Sequence, residues 1–210
     1  NLRSHTSNIT MLLDLVLQED PRIVENEYYR KIKLVSDNMN ETIHQLSEIV
    51  EINSKVSSTL TSQNLLKRVQ NAMKIVGPLV KKNGATIHLA VDANINVLAV
   101  HAYLESIILN LITNAIKYQS PERLPELNIT SGRKGEYAFL SFEDNGLGID
   151  LDRHGSKLFG MYKTFHNHPE ARGIGLFISK NQIEAMGGWI EVESTLNQGT
   201  KFTTYFRIVL

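Results

Sequence analysis

The stretch NLITNAIKY, Asn110–Tyr118, ends a strongly apolar run that starts near Ala102 and predicts a helix over 102–118. QSPERLP, residues 119–125, stops that helix. Working outward, ELNITSG (126–132) and YAFLSFED (137–144) predict two strands, joined by a Gly-bounded turn at GRKG (132–135). Upstream, Leu65, Leu66, Val69, Met73, Val76 and Val80 recur at helical spacing, and Gly84 closes the pattern. TIHLAV (86–91) and NVLA (96–99) predict two further strands. Downstream, a long loop containing Gly and His leads to a helix from about Ile174 to Met186. WIEVEST and KFTTYFRIV then predict a terminal hairpin. Strands and helices intersperse without regular βαβ repetition, so the expected class is α+β, a sandwich with a mixed sheet rather than a doubly wound fold.

The first 56 residues differ. They contain one Pro and no Gly, and they carry two apolar stripes at steps of three and four. Ile9, Leu12, Leu13 and Val16 form the first; Ile32, Val35, Met39, Ile43, Leu46 and Val50 form the second. QEDPR, Gln18–Arg22, separates them. This predicts a helical hairpin over 1–56. Two helices bury two stripes poorly by themselves, so the hairpin is expected to pair with a second copy as a four-helix bundle. The alternative is packing on the chain's own C-terminal domain, expected over 57–210. NSKVSSTLTSQ (53–63), polar and Ser/Thr-rich, reads as a linker or edge strand.

Composition narrows the function. Lys+Arg and Asp+Glu are 22 each in 210 residues, a balance that disfavours nucleic acid as the main partner. With no cysteine, disulfides, zinc–thiolate sites and thiol catalysis are excluded, and the cytoplasm is the simplest compartment. No apolar run reaches the length of a membrane span, and the start does not read as a signal peptide. The chain opens mid-pattern without an initiator Met and reads as a piece of a longer protein. His166 and His168 form an H-x-H pair, but no carboxylate or Cys cluster accompanies them to make a metal site.

Three boxes carry the chemistry. On a helix, Asn110 and Asn114 lie one turn apart on one face, with Lys117 and Tyr118 a further turn on. Two carboxamides can ligate a hard cation, the lysine supplies a point charge for phosphate, and the tyrosine offers a flat face to a base. A core helix with two polar residues at its wet edge is the plainer reading. DNGLGID, Asp144–Asp150, follows an apolar strand; Gly146 and Gly148 allow close backbone approach, and Asp144 can accept from an exocyclic amine. An Asp-Asn-Gly turn competes, but no alternating strand follows directly, and the loop over about 149–172 fits a lid better than a hairpin. In ARGIGLF, Ala171–Phe177, Gly173 and Gly175 open a helix whose first N–H groups suit phosphate. Arg172 beside them can contact a terminal phosphate or be a solvated lid residue.

In order and spacing these boxes resemble the N box and the two glycine boxes of sensor histidine kinases of the GHKL superfamily. LFGMYKTF, marked by Phe159, is similar to that family's phenylalanine box, and GTKF with Thr200 to its final glycine-threonine signature. The resemblance covers about 64–210 and implies a Bergerat-type sandwich that binds ATP and Mg2+. It implies Asn114 as main metal ligand assisted by Asn110, Lys117 on phosphate, Tyr118 on adenine and Asp144 on the adenine amino group, with the lid closing over the triphosphate. Hydrolytic members of the superfamily carry a water-activating Glu four residues before the metal Asn. Here that position is Asn110, and an amide is no general base. The second glycine box departs from the pattern at Ala171 and Arg172.

The resemblance also implies a phosphoacceptor histidine on the first helix. Aligning Leu2-Arg3 with the Leu-Arg of the family's acceptor motif puts that histidine immediately before Asn1; His5 is the fallback. Ser4 then takes a position associated with phosphatase activity, and Asn1 replaces an acidic neighbour. The implied function is an ATP-dependent protein-histidine kinase of a two-component system. It would be a phosphoprotein, homodimeric through 1–56, that passes its phosphoryl group to the Asp of a response-regulator receiver domain under an upstream sensor domain. The rival readings are a GHKL ATPase that drives conformational change, and a phosphatase-dominant or non-catalytic dimeric scaffold.

Overall fold

The computed structural model describes residues 2–37, 39, 40, 43, 60–160 and 173–209. The chain divides into two compact units, Asn1–Ser54 and Lys55–Leu210.

In the first unit α1 spans Leu2–Glu19. Asp20 then caps a 3-10 turn, Pro21–Glu25, by accepting the Arg22 N–H at 3.1 Å. Asn26 Oδ1 accepts from the N–H groups of Tyr28 and Tyr29, at 2.9 and 3.2 Å, and so starts α2, residues 27–37. Residues 39, 40 and 43 are also helical. Polar groups bridge the two helices. Thr10 Oγ1 lies 3.1 Å from Ser36 Oγ and accepts from Asn40 Nδ2 at 2.6 Å. The Tyr29 hydroxyl donates to the Leu13 carbonyl at 3.1 Å, and Lys33 reaches Asp14 at 3.1 Å. Thr6, Tyr29, Ser36 and Ile43 are buried. Most described residues of the apolar stripes read from sequence are exposed: Ile9, Leu12, Val16, Ile32, Val35 and Met39, whereas Leu13 is half-buried and Ile43 buried. Leu46 and Val50 lie outside the described residues.

The second unit is an α+β structure with a mixed sheet. Its strands are β1 (Thr61–Asn64), β2 (Thr86–Ala90), β3 (Asn96–Ala99), β4 (Glu126–Lys134), β5 (Tyr137–Asp144), β6 (Trp189–Thr195) and β7 (Gly199–Arg207). Five form one sheet in the order β2-β4-β5-β7-β6, with β2 parallel to β4 and every other pair antiparallel. β1 pairs antiparallel with β3 as a separate ribbon. The edge-strand reading of the segment before Asn64 therefore holds for 61–63, while 53–59 lie outside the described residues.

Helices α3 (Leu65–Asn83), α4 (His101–Lys117) and α6 (Gly175–Ala185) supply the other layer, with α4 between the other two. Asn64 caps α3 by accepting the Lys67 N–H at 3.0 Å, and Gly84 ends it in the left-handed region at φ 63. The core lies between α4 and the sheet. Leu104, Ile107, Ile108 and Ile112 of α4 are fully buried, as are Ile129, Leu140 and Phe206 of the strands.

Two expectations need correction. The β4–β5 turn is Gly135–Glu136, not GRKG: Gly132 sits inside β4 opposite Phe139, whose ring occupies the space a side chain at 132 would need. The first part of the expected lid is not plain loop. Asp150 accepts the Arg153 N–H at 3.1 Å and starts a short helix α5, Leu151–His154, followed by a 3-10 turn, Gly155–Lys157. Residues 161–172 lie outside the described residues.

Candidate functional site

Four places in the second unit converge. The last two turns of α4 carry Asn110, Asn114 and Lys117, with Tyr118 at the helix end. β5 ends on Asp144 and feeds the loop 145–150. β7 begins at Gly199-Thr200, and α6 begins at Gly175.

Asp144 ties β5 to its neighbours. Its Oδ1 accepts the N–H of Gly146 at 2.8 Å and of Thr200 at 3.2 Å. The Thr200 hydroxyl lies 2.9 Å from Ser194 Oγ, which also donates to the Gly199 carbonyl at 2.8 Å, so the β6–β7 hairpin braces this anchor. Burial pushes the Asp144 carboxyl up to about 6, against the pull of the two N–H donors. Its Oδ2 has no hydrogen-bond partner among the described residues, which leaves an acceptor available to an amine.

The loop after Asp144 is pinned on both sides. Leu147 N–H donates to the Tyr118 carbonyl at 2.9 Å, and Ile149 N–H to Ser194 Oγ at 2.8 Å. Gly148 has φ 64, and a methyl on it would collide with the Thr195 carbonyl, so both its conformation and its surroundings demand glycine. Tyr118 is half-buried, which pushes its phenol up. The Lys117 ammonium stands 5.7 Å from that ring's centre, and the Lys180 ammonium 5.5 Å from the Phe159 ring.

On α4 the two carboxamides are linked to each other and to α6. Asn114 Nδ2 donates to Asn110 Oδ1 at 3.3 Å, and Asn110 Nδ2 donates to Ser179 Oγ at 2.9 Å. Asn114 Oδ1 has no partner among the described residues. Gly175 lets the helices come this close, because a methyl there would run into Asn110 Oδ1. Gly173, two residues earlier, takes φ 69.

The structure thus brings together Asn110, Asn114, Lys117, Tyr118, Asp144, Gly146, Gly148, Gly175 and Thr200 from segments far apart in sequence. Arg172 lies outside the described residues. Ser4 and His5 belong to the first unit, where both are exposed on α1. Among the described residues no group of three or more His, Asp or Glu side chains forms a metal cluster.

Sequence reading overlooked two residues. Arg123, inside the helix-stopping QSPERLP, donates to the carbonyls of Asn145 at 2.6 Å, Gly146 at 2.9 Å and Asn197 at 2.5 Å, and so clamps the Asp144 loop to the β6–β7 turn. Ser179 is buried, one turn after Gly175. That i, i+4 pair mirrors Asn110 and Asn114 on the facing helix and was the available signal.

Comparison with known proteins agrees with this geometry. The circadian input-output histidine kinase CikA of Synechocystis sp. is 29% identical over 86% of this chain and 25% of its own length. Cyanobacterial phytochrome A of Nostoc sp. is 29% identical over 98% of this chain and 26% of its own length. The chain thus spans about a quarter of these two relatives. Among solved structures, the catalytic domain of histidine kinase ThkA has a TM-score of 0.62 at 22% identity, covering 70% of this chain and 95% of that one. Full-length ShkA in complex with AMPPNP has a TM-score of 0.71 at 21% identity, covering 99% of this chain and 45% of that one. No described helix is long and apolar enough to cross a membrane. The family described as histidine kinase-, DNA gyrase B- and HSP90-like ATPases matches residues 99–209, from the end of β3 through β7 and thus across α4, β5, α6 and β7, and the chain, whose second unit is similar to the catalytic domains of sensor histidine kinases, belongs to that family.

Proposed function

We propose that this chain is the kinase core of a two-component sensor: it holds Mg-ATP in the second unit until a helical histidine takes the γ-phosphoryl group. The observation that carries the reading is the Asn114–Asn110–Ser179 chain of hydrogen bonds. The position that a water-activating carboxylate fills in hydrolytic relatives is here an amide whose nitrogen and oxygen are both engaged. Glu105, the nearest upstream carboxylate on α4, lies 3.7 Å from His101 in the first turn. The site is thus suited to hold and position a triphosphate, with an amide rather than a carboxylate at the position that activates water in hydrolytic relatives.

The donor set fits a divalent cation. Asn114 offers Oδ1, a hard oxygen with no protein partner among the described residues, and Asn110 assists by holding the Asn114 amide. Mg2+ there supplies charge stabilisation for the triphosphate. Asp144 Oδ2 accepts from the adenine amino group, Tyr118 packs on the base, and Lys117 meets phosphate. Gly146, Gly148 and Thr200 fix the floor. Gly173 and Gly175, at the start of α6, would face the phosphates; the resemblance assigns Arg172 to the terminal phosphate and Phe159 to the phenylalanine box. Positioning and charge stabilisation are the catalytic contributions phosphoryl transfer needs. A solved complex of the structural neighbour ShkA with AMPPNP supports nucleotide occupancy of this fold.

The first unit supports the dimer. Thr10, Ser36 and Asn40 bond to one another between its two helices, while Leu12, Val35 and Met39 are exposed. A second copy that covers those stripes completes a four-helix bundle. The acceptor histidine lies immediately before Asn1, with His5 as fallback, and Ser4 positions water for dephosphorylation. A receiver-domain Asp takes the phosphoryl group, and a sensor domain elsewhere in the longer protein sets the activity, with this core in the cytoplasm.

The test is a comparison of ATP turnover with phosphoryl transfer, on protein extended upstream by ten residues. Acid-labile, base-stable phosphate on the residue before Asn1, with ATP hydrolysis far slower than that transfer, is the expected outcome. Fast hydrolysis without phosphoprotein would replace the kinase by an ATPase, and phosphate only on His5 would move the acceptor.

A further inference from the structure

We infer that Ser194 is a positioning residue that turns the Thr200 hydroxyl into an acceptor, so that the floor of the pocket takes an amino group at position 6 of the base and rejects a carbonyl there. The inference rests on the reading of this pocket as an ATP site.

Asp144, Thr200 and Ser194 form one row across three strands. Phe202 pairs with Phe142 on one side and Val192 on the other, and Ser194 pairs with Thr200. Phe142 and Phe202 are buried in the core. Side chains alternate along a strand, so Asp144, Thr200 and Ser194, each two residues away, lie on the same side of the sheet as those rings.

A hydroxyl can donate as well as accept, so the sense of this row is set by partners that have no choice. Ser194 Oγ has two of them. It lies 2.8 Å from the Gly199 carbonyl oxygen, which can only accept, and 2.8 Å from the Ile149 amide nitrogen, which can only donate. Its one proton goes to Gly199 and a lone pair receives Ile149. The third contact, to Thr200 Oγ1 at 2.9 Å, is then a hydrogen bond only if Thr200 supplies the proton. With Ser194 donating to Thr200 instead, the Ser194 and Gly199 oxygens would face each other at 2.8 Å with no proton between them.

Thr200 is 7% exposed, and its hydroxyl has no other hydrogen-bond partner among the described residues. With its proton committed, it keeps lone pairs only. Asp144 Oδ1 is filled by the N–H groups of Gly146 and Thr200, and its Oδ2, as a carboxylate oxygen, also only accepts. Asp144 and Thr200 thus offer two acceptors and no side-chain donor. An exocyclic amine carries two protons and suits them. A carbonyl oxygen at the same position meets lone pairs, and a buried acceptor left without a donor weakens binding. Ser194 acts on the base only through Thr200.

The experiment is titration of wild type, Ser194→Ala, Thr200→Val and the double variant with ATP and with ITP, whose base has a carbonyl oxygen where adenine has its amine. Loss of the bond to Ile149 lowers both affinities in Ser194→Ala, so the ratio of the two is the readout. The wild type is expected to prefer ATP. Ser194→Ala frees the Thr200 proton to turn toward the carbonyl, and is expected to narrow that preference roughly five- to tenfold, the worth of one neutral hydrogen bond. Thr200→Val removes the acceptor and should narrow it as well, by loss of ATP affinity, and adding Ser194→Ala to it should leave the ratio where it is. An unchanged ratio in Ser194→Ala would make Ser194 a brace only, and a further change on top of Thr200→Val would show that it acts by another route. Should Ser194→Ala fail to fold, Thr200→Val decides: an unchanged or wider preference for ATP would mean that its hydroxyl does not accept from the amine. Each of these results overturns the proposal and leaves the pocket assignment intact, as would a wild type that binds both nucleotides equally. A wild type that binds neither would instead overturn the pocket assignment itself.

Discussion

The two units solve burial in opposite ways. In the second, apolar side chains fill the space between α4 and the sheet, and polar groups gather at one rim, the site proposed for nucleotide. In the first, polar groups bridge α1 and α2, and six of the described residues of the apolar stripes are exposed. Ile108 and Phe206 are fully buried, whereas Leu12 is 57% exposed and Val35 63%. Among the described residues the second unit covers its apolar side chains itself, whereas the first leaves a row of them exposed, the surface that the proposed second copy would cover.

The largest effect that would sharpen this contrast is a core truncation. Phe206→Ala should destabilise the second unit by about 3–5 kcal/mol. Leu12→Ala in dilute, monomeric protein should change stability by no more than about 0.5 kcal/mol. Urea melts of both variants measure the difference. A comparable loss from Leu12→Ala in a monomer would show that its stripe is already packed.

The next effect tests the exposed stripes. Leu12→Glu combined with Val35→Glu places charge on both, and should weaken self-association by at least roughly a hundredfold, since an unpaired charge in an apolar interface costs several kcal/mol. Nucleotide affinity should stay within about twofold. Sedimentation velocity and nucleotide titration on the same samples check this. Unaltered association would locate the dimer contact elsewhere.

The third effect lies at the rim. Asp144 is held at about 6, roughly two units above its ordinary value, so ionised burial costs the empty fold up to about 3 kcal/mol at neutral pH. The native state binds the proton more tightly than the unfolded chain. This contribution to stability is therefore fully present below about pH 4 and is lost as pH rises through about 6. Asp144→Asn keeps the acceptor for Gly146 and Thr200 and removes the charge. It should raise stability at pH 7.5 by about 1–2 kcal/mol and flatten that pH slope while it abolishes adenine binding. Wild-type nucleotide affinity should move the other way and fall about tenfold per unit below pH 6, because only the carboxylate accepts without donating. Melts and titrations across pH 4.5–8 resolve the crossing trends; parallel trends would take Asp144 out of the base pocket.

This contrast also explains what was legible in the sequence. The box residues were readable because each group needs close spacing on one element: Asn110 and Asn114 share a helix face, and Asp144, Gly146 and Gly148 share one loop. α3 and β5 were readable because their apolar periods are clean. The polar contacts between α1 and α2 were not. Thr10, Ser36 and Asn40 carry no hydrophobic signal, and periodicity registers only the apolar stripes. Gly132 read as a turn because the ring that shelters it, Phe139, belongs to the next strand. Ser179 stayed hidden because its partner is 69 residues away.

Arg123 shows the same limit from the other side, and it gives the smallest effect. In sequence it is one exposed charge in a Pro-flanked stop. In space its guanidinium gathers the carbonyls of Asn145, Gly146 and Asn197. Three carbonyl dipoles pointing at one another repel, and a planar cation with fixed donors is what lets them converge. Because the side chain is exposed, water can replace part of this, so Arg123→Gln should cost no more than about 1–2 kcal/mol of stability. Its mark should fall on the floor rather than on the phosphates. Discrimination of ATP against GTP should drop several-fold, while the gain from Mg2+ stays at the wild-type value. Competition titrations with both nucleotides measure this. An equal weakening for both bases would reduce Arg123 to a surface staple and leave the floor to Asp144, Gly148 and Thr200 alone.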